Sequence, residues 1–377
     1  MDMGIKRYTG MRGLLHRELL MTAVIDRMDA MVRVLDEEHN IIYMNEKMRL
    51  EFGNHCGRVC YQMLGQGERC IDCVTVLANV SEDSESKEIT VGEKIYRIIA
   101  SSVKLEGLPR YSIEFFVDIT KQRKLEEANR SHFARLAQDV EFAKQVQYNA
   151  LPKDGTYFRS LRVHSIYRPA ESLAGDFFDV VKIDEDRTLF YIADVAGHGV
   201  RSSLLTIFLH QVIRGMKERA GDPRELINGI LQGMNDLHTG NESYLTILVG
   251  IYDRSLRELT LVNAGHNCLP LLEGEDGELH EVEIYGMPVC SLLREGSHTT
   301  VTRKVRRGQR LLMYTDGVTE TENLAGEAFG VEGILRLWDS QEIKTPQRLV
   351  AAIQASVVEF AGFAPKDDMT AVLIEFL

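Results

Sequence analysis

Four short acidic segments fall in the C-terminal two thirds of the chain: Gly175-Asp176-Phe177-Phe178-Asp179, Asp194-Val195-Ala196-Gly197-His198-Gly199, Tyr314-Thr315-Asp316-Gly317-Val318-Thr319-Glu320 and Lys366-Asp367-Asp368-Met369-Thr370. Taken singly, an Asp beside a Gly reads as turn chemistry. Taken together they share a form, because Asp194 and Asp316 each end an apolar run and Asp367-Asp368 closely precede another. Carboxylates gathered without cations repel one another and lose hydration, at a cost of several kcal/mol. Divalent cations remove that cost, and an oxygen-only donor set suits hard Mg2+ or Mn2+ in octahedral geometry completed by water.

A second group of candidate ligands lies near the N-terminus, where Cys56, Cys60, Cys70 and Cys73 account for four of the six cysteines. Their Cys-x3-Cys-x9-Cys-x2-Cys spacing leaves two readings open. Four thiolates in a short loop can hold zinc or an iron-sulfur cluster; alternatively the cysteines are small packed hydrophobes or redox-sensitive thiols. Cys268 and Cys290 lie outside the acidic segments, so no thiolate site is indicated there.

The elements that must position these residues can be read from hydrophobic period and punctuation. A helix is expected from about Gly13 to Met31, followed by two strands, 31–36 and 41–45, and a helix capped by Asn45 that ends before Gly53. Three more strands follow at 87–91, 94–103 and 111–119. From Lys121 to Ala150 the chain is charged and free of Gly and Pro, and Phe133, Leu136, Val140, Ala143, Val146 and Ala150 form one helical stripe. That stripe suits either a coiled coil between two copies or a face packed on the next domain. Beyond Pro152, strands are expected at 161–167, 177–183, 188–193, 244–252, 258–263, 269–272, 310–314 and 371–376. Helices are expected at 202–219, 223–237, 331–339 and 346–360. Strands outnumber helices and hairpins dominate, which favours an α+β sandwich over a doubly wound sheet.

At 377 residues the chain is long enough for two cores. Its formal net charge of -12 argues against a nucleic-acid-binding surface. No stretch has the length of a membrane span, and the N-terminus lacks a signal-peptide pattern, so a cytoplasmic location is expected.

Two resemblances sharpen this outline. Residues 20–120, with two strands, helices, three strands and the closing Asp118-Ile119-Thr120, resemble a PAS sensor domain, which implies a signal-receiving or dimerising module. The ordered set GDFFD, DVAGHG, NAGHN, YTDGVTE and DDMT over residues 150–377 resembles the PPM (protein phosphatase 2C-like) metal-dependent serine/threonine phosphatases, in their SpoIIE-like bacterial branch. The expected organisation is a leading helix and PAS-like α/β sensor (1–120), a helical linker (121–152) and an α-β-β-α sandwich of two antiparallel sheets (153–377). The resemblance implies two Mn2+ or Mg2+ ions bridged by Asp194, with the Val195 carbonyl and Asp176 on one ion and Asp316 and Asp367 on the other. Asp179 and Asp368 would orient ligands or waters. A metal-bridging hydroxide would attack phosphoserine or phosphothreonine on a protein, the usual substrate of this branch being a STAS-domain anti-anti-sigma factor. The alternative from another class is a catalytically inactive phosphatase-like binding module in a partner-switching pathway.

Three further residues complete the candidates. His198 stands two residues farther from the Asp than the histidine of the wider family's Asp-Gly-His-Gly, so it is open as a general acid or a turn residue. His266, in Asn263-Ala264-Gly265-His266-Asn267, suits structural hydrogen bonding. Arg168 is open as a bidentate phosphate partner or a solvated side chain.

Overall fold

A computed structural model describes residues 11–377 apart from 82, 105, 198, 218–220, 238–243, 291–297, 341–344 and 363–365. The chain divides into two compact units, Met1–Ala134 and Arg135–Leu377.

The first unit runs α1 (Met11–Arg27), β1 (Met31–Leu35), β2 (Ile41–Met44), α2 (Glu46–Phe52), α3 (Cys60–Met63), α4 (Val74–Ser81), β3 (Glu85–Val91), β4 (Lys94–Lys104) and β5 (Arg110–Asp118). Its strands form one antiparallel sheet in the order β2-β1-β5-β4-β3. Asn45 caps α2 by accepting from the Met48 N–H at 3.0 Å, and the same oxygen accepts from Val32 N at 3.0 Å, which ties the helix start to β1. The core gathers Met31, Leu35, Met44, Met48, Ile98 and Phe116. Within it Arg33 and Glu114, each 2% exposed, face each other across β1 and β5 and pair at 2.6 Å.

The cysteines are not brought together. Among the described residues no three of them form a metal-ligating group. Cys60 opens α3 and turns into the core, Cys73 is buried and Cys56 is exposed. Burial pushes the Cys60 thiol up to about 11, away from the thiolate a metal requires. The reading of Cys56, Cys60, Cys70 and Cys73 as a metal site is thus not supported, and Cys60 and Cys73 are packed thiols.

Helix α5 (Thr120–Ala150) extends across the boundary between the units. Phe133, Leu136 and Val146 of the expected stripe are exposed, and the one fully buried side chain on the helix is Gln147.

The second unit continues with β6 (Gly155–Tyr157), β7 (Leu161–Arg168), β8 (Asp176–Lys182), β9 (Arg187–Val195), α6 (Val200–Met216), α7 (Pro223–Asp236), β10 (Tyr244–Asp253) and β11 (Glu258–Ala264). It ends with β12 (Leu271–Glu273), β13 (Leu279–Glu281), β14 (Val289–Cys290), β15 (Thr300–Lys304), β16 (Arg310–Tyr314), α8 (Asp316–Thr319), α9 (Gly330–Trp338), α10 (Pro346–Ala361) and β17 (Met369–Phe376). One antiparallel sheet has the order β15-β11-β10-β9-β8, with β14 also on β10; the other has β13-β12-β16-β17-β7-β6. The expected strand at 269–272 begins instead at Leu271, since Pro270 has no N–H for the ladder.

The two sheets meet through Phe178, Val180, Phe190, Ile192 and Leu248 from one and Leu161, Val163, Met313, Val372 and Ile374 from the other. The outer face of the first sheet packs on α6 and α7 through Tyr191, Leu209, Ile213, Leu226 and Ile230. The outer face of the second packs on α9 and α10 through Leu312, Ile334, Ile353 and Leu373. This is the α-β-β-α sandwich of antiparallel sheets that the sequence leads one to expect. Among the described residues no helix is long and apolar enough to cross a membrane.

Candidate metal centre

Strand alternation decides which acidic residues can meet. On β9, Phe190 and Ile192 point between the sheets, so Asp194 continues the same face at the strand end. On β8, Phe178 and Val180 point inward, which places Asp176 on that face as well. Asp176 and Asp194 are direct cross-strand partners in the β8–β9 ladder, so their side chains leave the sheet side by side.

The opposite sheet supplies Asp176 with its hydrogen-bond donors. Thr315 follows β16 and Thr370 lies on β17, both continuing inward-facing series, and their hydroxyls donate to Asp176 Oδ2 at 2.7 and 2.6 Å. Thr370 N in turn donates to Thr315 Oγ1 at 3.1 Å. Asp176 is 2% exposed. Burial, followed by the neighbouring Asp194 charge, pushes its carboxyl well above the usual range, while the two hydroxyls oppose that shift.

Asp194 is only half-buried. Its pKa is pushed up to about 7 by burial first and then by the charges of Asp316, Asp367 and Asp368. Asp316 begins α8 and accepts from Asn267 Nδ2 at 3.3 Å, and Asp367 is exposed just before β17. Glu320, at the end of α8, is raised by burial and by the same Asp316 and Asp367 charges. The centre thus grades from a buried end at Asp176 to an open end at Asp367. Among the described residues the one group with three ligand atoms within 4.8 Å of one another is the exposed Asp276, Glu278 and His280 of the β12–β13 hairpin. The four aspartates are therefore spaced more widely than a cage for a single ion.

Asp368 and Asp179 do different work. Asp368 Oδ1 accepts from Ala170 N at 2.8 Å and Oδ2 from Gly175 N at 2.6 Å, which fixes the loop leading into β8. Asp179, three residues beyond Asp176, emerges on the other face of β8 by strand parity. There it pairs with Arg214 of α6 at 2.9 Å and lies 3.2 Å from His210 Nδ1. The expectation that it orients ligands or waters is corrected, since it faces the helices.

Glycines allow the close approaches. A Cβ on Gly175 would stand 2.7 Å from the Val195 carbonyl oxygen, and one on Gly317 would stand 2.0 Å from the Asp368 carbonyl oxygen. Val195 N also donates to Gly175 O at 3.0 Å. His266 is buried, and burial holds it neutral. Its Nε2–H donates to Tyr314 O at 2.9 Å, while Nδ1 lies 3.4 Å from the Thr246 hydroxyl. Asn263 fastens the turn by accepting from His266 N at 2.8 Å and donating to His266 O at 2.8 Å. Arg168 ends β7 opposite Met369, at the same end of the sandwich. His198 lies outside the described residues. Sequence reasoning missed Thr315 and Thr370 as partners of Asp176, and Gln147 altogether; inward-facing polar residues beside an acidic strand end were the available signal.

The sandwich has the fold of a PP2C domain. It superposes on the SiaA-PP2C domain of Pseudomonas aeruginosa with a TM-score of 0.56 at 21% identity, covering 65% of this chain and 99% of that one. The chain belongs to the Stage II sporulation protein E (SpoIIE) family, whose family model matches residues 184–377. Asp176 lies upstream of that match. The relatives include protein IcfG of Synechocystis sp., 25% identical over 262 residues (63% of this chain, 41% of IcfG). The phosphoserine phosphatase RsbU of Bacillus subtilis is 22% identical over 238 residues (63% of this chain, 69% of RsbU). The phosphoserine phosphatase RsbP of the same organism is 26% identical over 185 residues (48% and 45%). The matched region thus spans less than half the length of IcfG and of RsbP.

Proposed function

We propose that the chain is a metal-dependent protein serine/threonine phosphatase whose centre is built on Asp176, Asp194, Asp316 and Asp367 with the Val195 carbonyl. The observation that carries this reading is the side-by-side placement of Asp176 and Asp194, with Asp316 and Asp367 acting on Asp194. The charges acting on Asp194 are all carboxylates, so the donor set suits a pair of hard divalent cations, Mn2+ or Mg2+, and is costly without them. When bound, the cations supply a water activated for attack at neutral pH and neutralise phosphate charge.

The chain's own groups have separable tasks in this reading. Asp194 faces both ends of the centre. The Thr315 and Thr370 hydroxyls hold Asp176 Oδ2 and so fix the orientation of Oδ1. Gly175 lets the Val195 carbonyl approach, and His266 steadies the turn that carries Asp316. To Arg168, which ends β7 opposite Met369, we assign the holding of a substrate phosphate through two N–H donors.

The substrate is a phosphoserine or phosphothreonine protein, and a STAS-domain partner in a partner-switching pathway is the specific form we propose. The names of RsbU and RsbP support the phosphoserine class. The β2-β1-β5-β4-β3 order supports a PAS-like regulatory reading of the first unit. Exposed Phe133, Leu136 and Phe142 on α5 support pairing with a second copy, and a cytoplasmic location accords with such a partner.

The test is release of phosphate from a phosphorylated STAS-domain protein by the full chain with Mn2+, beside Asp194→Asn and Asp316→Asn. Activity lost in both variants supports the proposal. Equal activity in all three, or none at any Mn2+ concentration, overturns it and leaves the catalytically inactive binding module.

A further inference from the structure

Helix α5 spans 31 residues and buries one of them fully: Gln147, 1% exposed. A buried amide costs about 1–3 kcal/mol unless its hydrogen bonds are made, and here three are made to two elements. Nε2 donates to Ala174 O at 2.8 Å and to Thr206 Oγ1 of α6 at 3.0 Å, while Oε1 accepts from Ala174 N at 3.2 Å. One side chain therefore holds both backbone groups of Ala174. An apolar residue would fill the same volume without orienting that peptide.

The position of Ala174 gives the clamp its meaning. The next residue, Gly175, donates to Asp368 Oδ2 at 2.6 Å and accepts from Val195 N at 3.0 Å, and the one after it is Asp176. The segment entering β8 is thus fixed from three sides: by α5 through Gln147, by the residues before β17 through Asp368, and by the end of β9 through Val195. Gln147 is the contribution that comes from the helix.

We infer that Gln147 is a positioning residue for the carboxylate centre, clamping Ala174 and α6 so that the cation affinity of Asp176 depends on the last turns of α5. The inference rests on the two-cation reading above. Unwinding or rotation of those turns releases Ala174, lets Asp176 drift from Asp194 and weakens cation binding, while the groups that face a protein substrate stay in place. This gives the helix a direct handle on the site.

The test uses the full chain and Mn2+ alone, with binding followed by the electron paramagnetic resonance signal of the free ion. Gln147→Met keeps the length of the side chain and removes all three bonds. It is expected to bind Mn2+ about tenfold more weakly, the usual scale for a lost supporting contact around a metal. Hydrogen exchange across residues 170–180 is expected to quicken, and phosphatase activity is expected to return at saturating Mn2+ with an unchanged KM for the phosphoprotein. Thr206→Val, which leaves α5 untouched, is expected to weaken Mn2+ binding by a smaller factor, about threefold for one lost hydrogen bond. Folded Gln147→Met with wild-type Mn2+ affinity overturns the inference; if that variant does not fold, unchanged affinity in Thr206→Val overturns it. Asp176→Asn separates the two levels. Loss of binding there with none in Gln147→Met sinks the positioning role alone, whereas equal binding by wild type and Asp176→Asn sinks the two-cation reading and the positioning role with it.

Discussion

Asp176 and Asp194 are paired residue to residue across the β8–β9 hairpin, and one of them is sealed by threonines from the opposite sheet while the other faces the open end. Two carboxylates held in adjacent register raise each other's cost of ionisation, and burial adds to it.

The folded-state pKa of Asp194, about 7, lies above the ordinary aspartate value. Its contribution to stability is complete below about pH 4 and is lost as pH rises through about 7. Chelator-treated protein should therefore lose stability over that window, and Asp194→Asn should flatten the slope. Mn2+ at a hundredfold its dissociation constant should add about 2.7 kcal/mol, a rise of about 5–10 °C in Tm for a unit of this size. Fluorescence of Trp338, the sole tryptophan, reports on the second unit. A wild-type Tm insensitive to Mn2+ would contradict the prediction.

Thr315→Val and Thr370→Val each remove a donor from a buried carboxylate, at about 1–3 kcal/mol. Thr315→Val should cost more, since Thr370 N also loses its acceptor. Urea titrations of the two variants rank them, and the reverse order would show that the bracket on Asp176 is not what they report.

Gly175→Ala forces a methyl to 2.7 Å from the Val195 carbonyl, which should cost about 1–3 kcal/mol through backbone displacement. Gly215→Ala, on α6 with open space around it, should instead gain about 0.5–1 kcal/mol from helix propensity. Opposite signs in denaturant midpoints are the expected outcome.

Burial pushes the Asp179 carboxyl up, but the His210 and Arg214 side chains and the Val180 N–H together bring it below the usual range. A depressed pKa contributes stability above the ordinary carboxylate range that is lost as pH falls through the folded value. Arg214→Met should move the acid-unfolding midpoint to higher pH. Because the arginine side chain is 50% exposed, the loss near neutrality should be modest, about 1–2 kcal/mol. Acid titration followed by circular dichroism measures both.

In the first unit, Arg33→Met strands a buried Glu114 and should cost about 3–5 kcal/mol. Arg33→Met with Glu114→Leu should recover much of that loss. Calorimetry on both variants decides it, and equal destabilisation would mean that the pair is not an isolated unit.

The aspartates were legible because each sits at one end of an apolar strand, Asp194 and Asp316 where one stops and Asp176 and Asp367 where one begins, and period two then dictates which of them share a face. The same period separates Asp176 from Asp179, a distinction that their common motif conceals. Thr315 and Thr370 were harder to read, since their partner lies 139 and 194 residues away and the one local sign is that each continues an inward-facing series beside an acidic residue. Gln147 was hidden for a further reason: the apolar stripe pointed to Val146, yet the packed face of the helix turns on an amide.

Strand β17 lies between β16 and β7 in its sheet, and it carries Thr370 to Asp176. The surroundings of Asp176 are therefore incomplete until β17 has paired with β7. Without β17 the sheet lacks a central strand and Asp176 lacks one of the two hydroxyls that seal it, so the carboxylates on β8 and β9 gain their fixed surroundings only when a strand nearly two hundred residues later has docked.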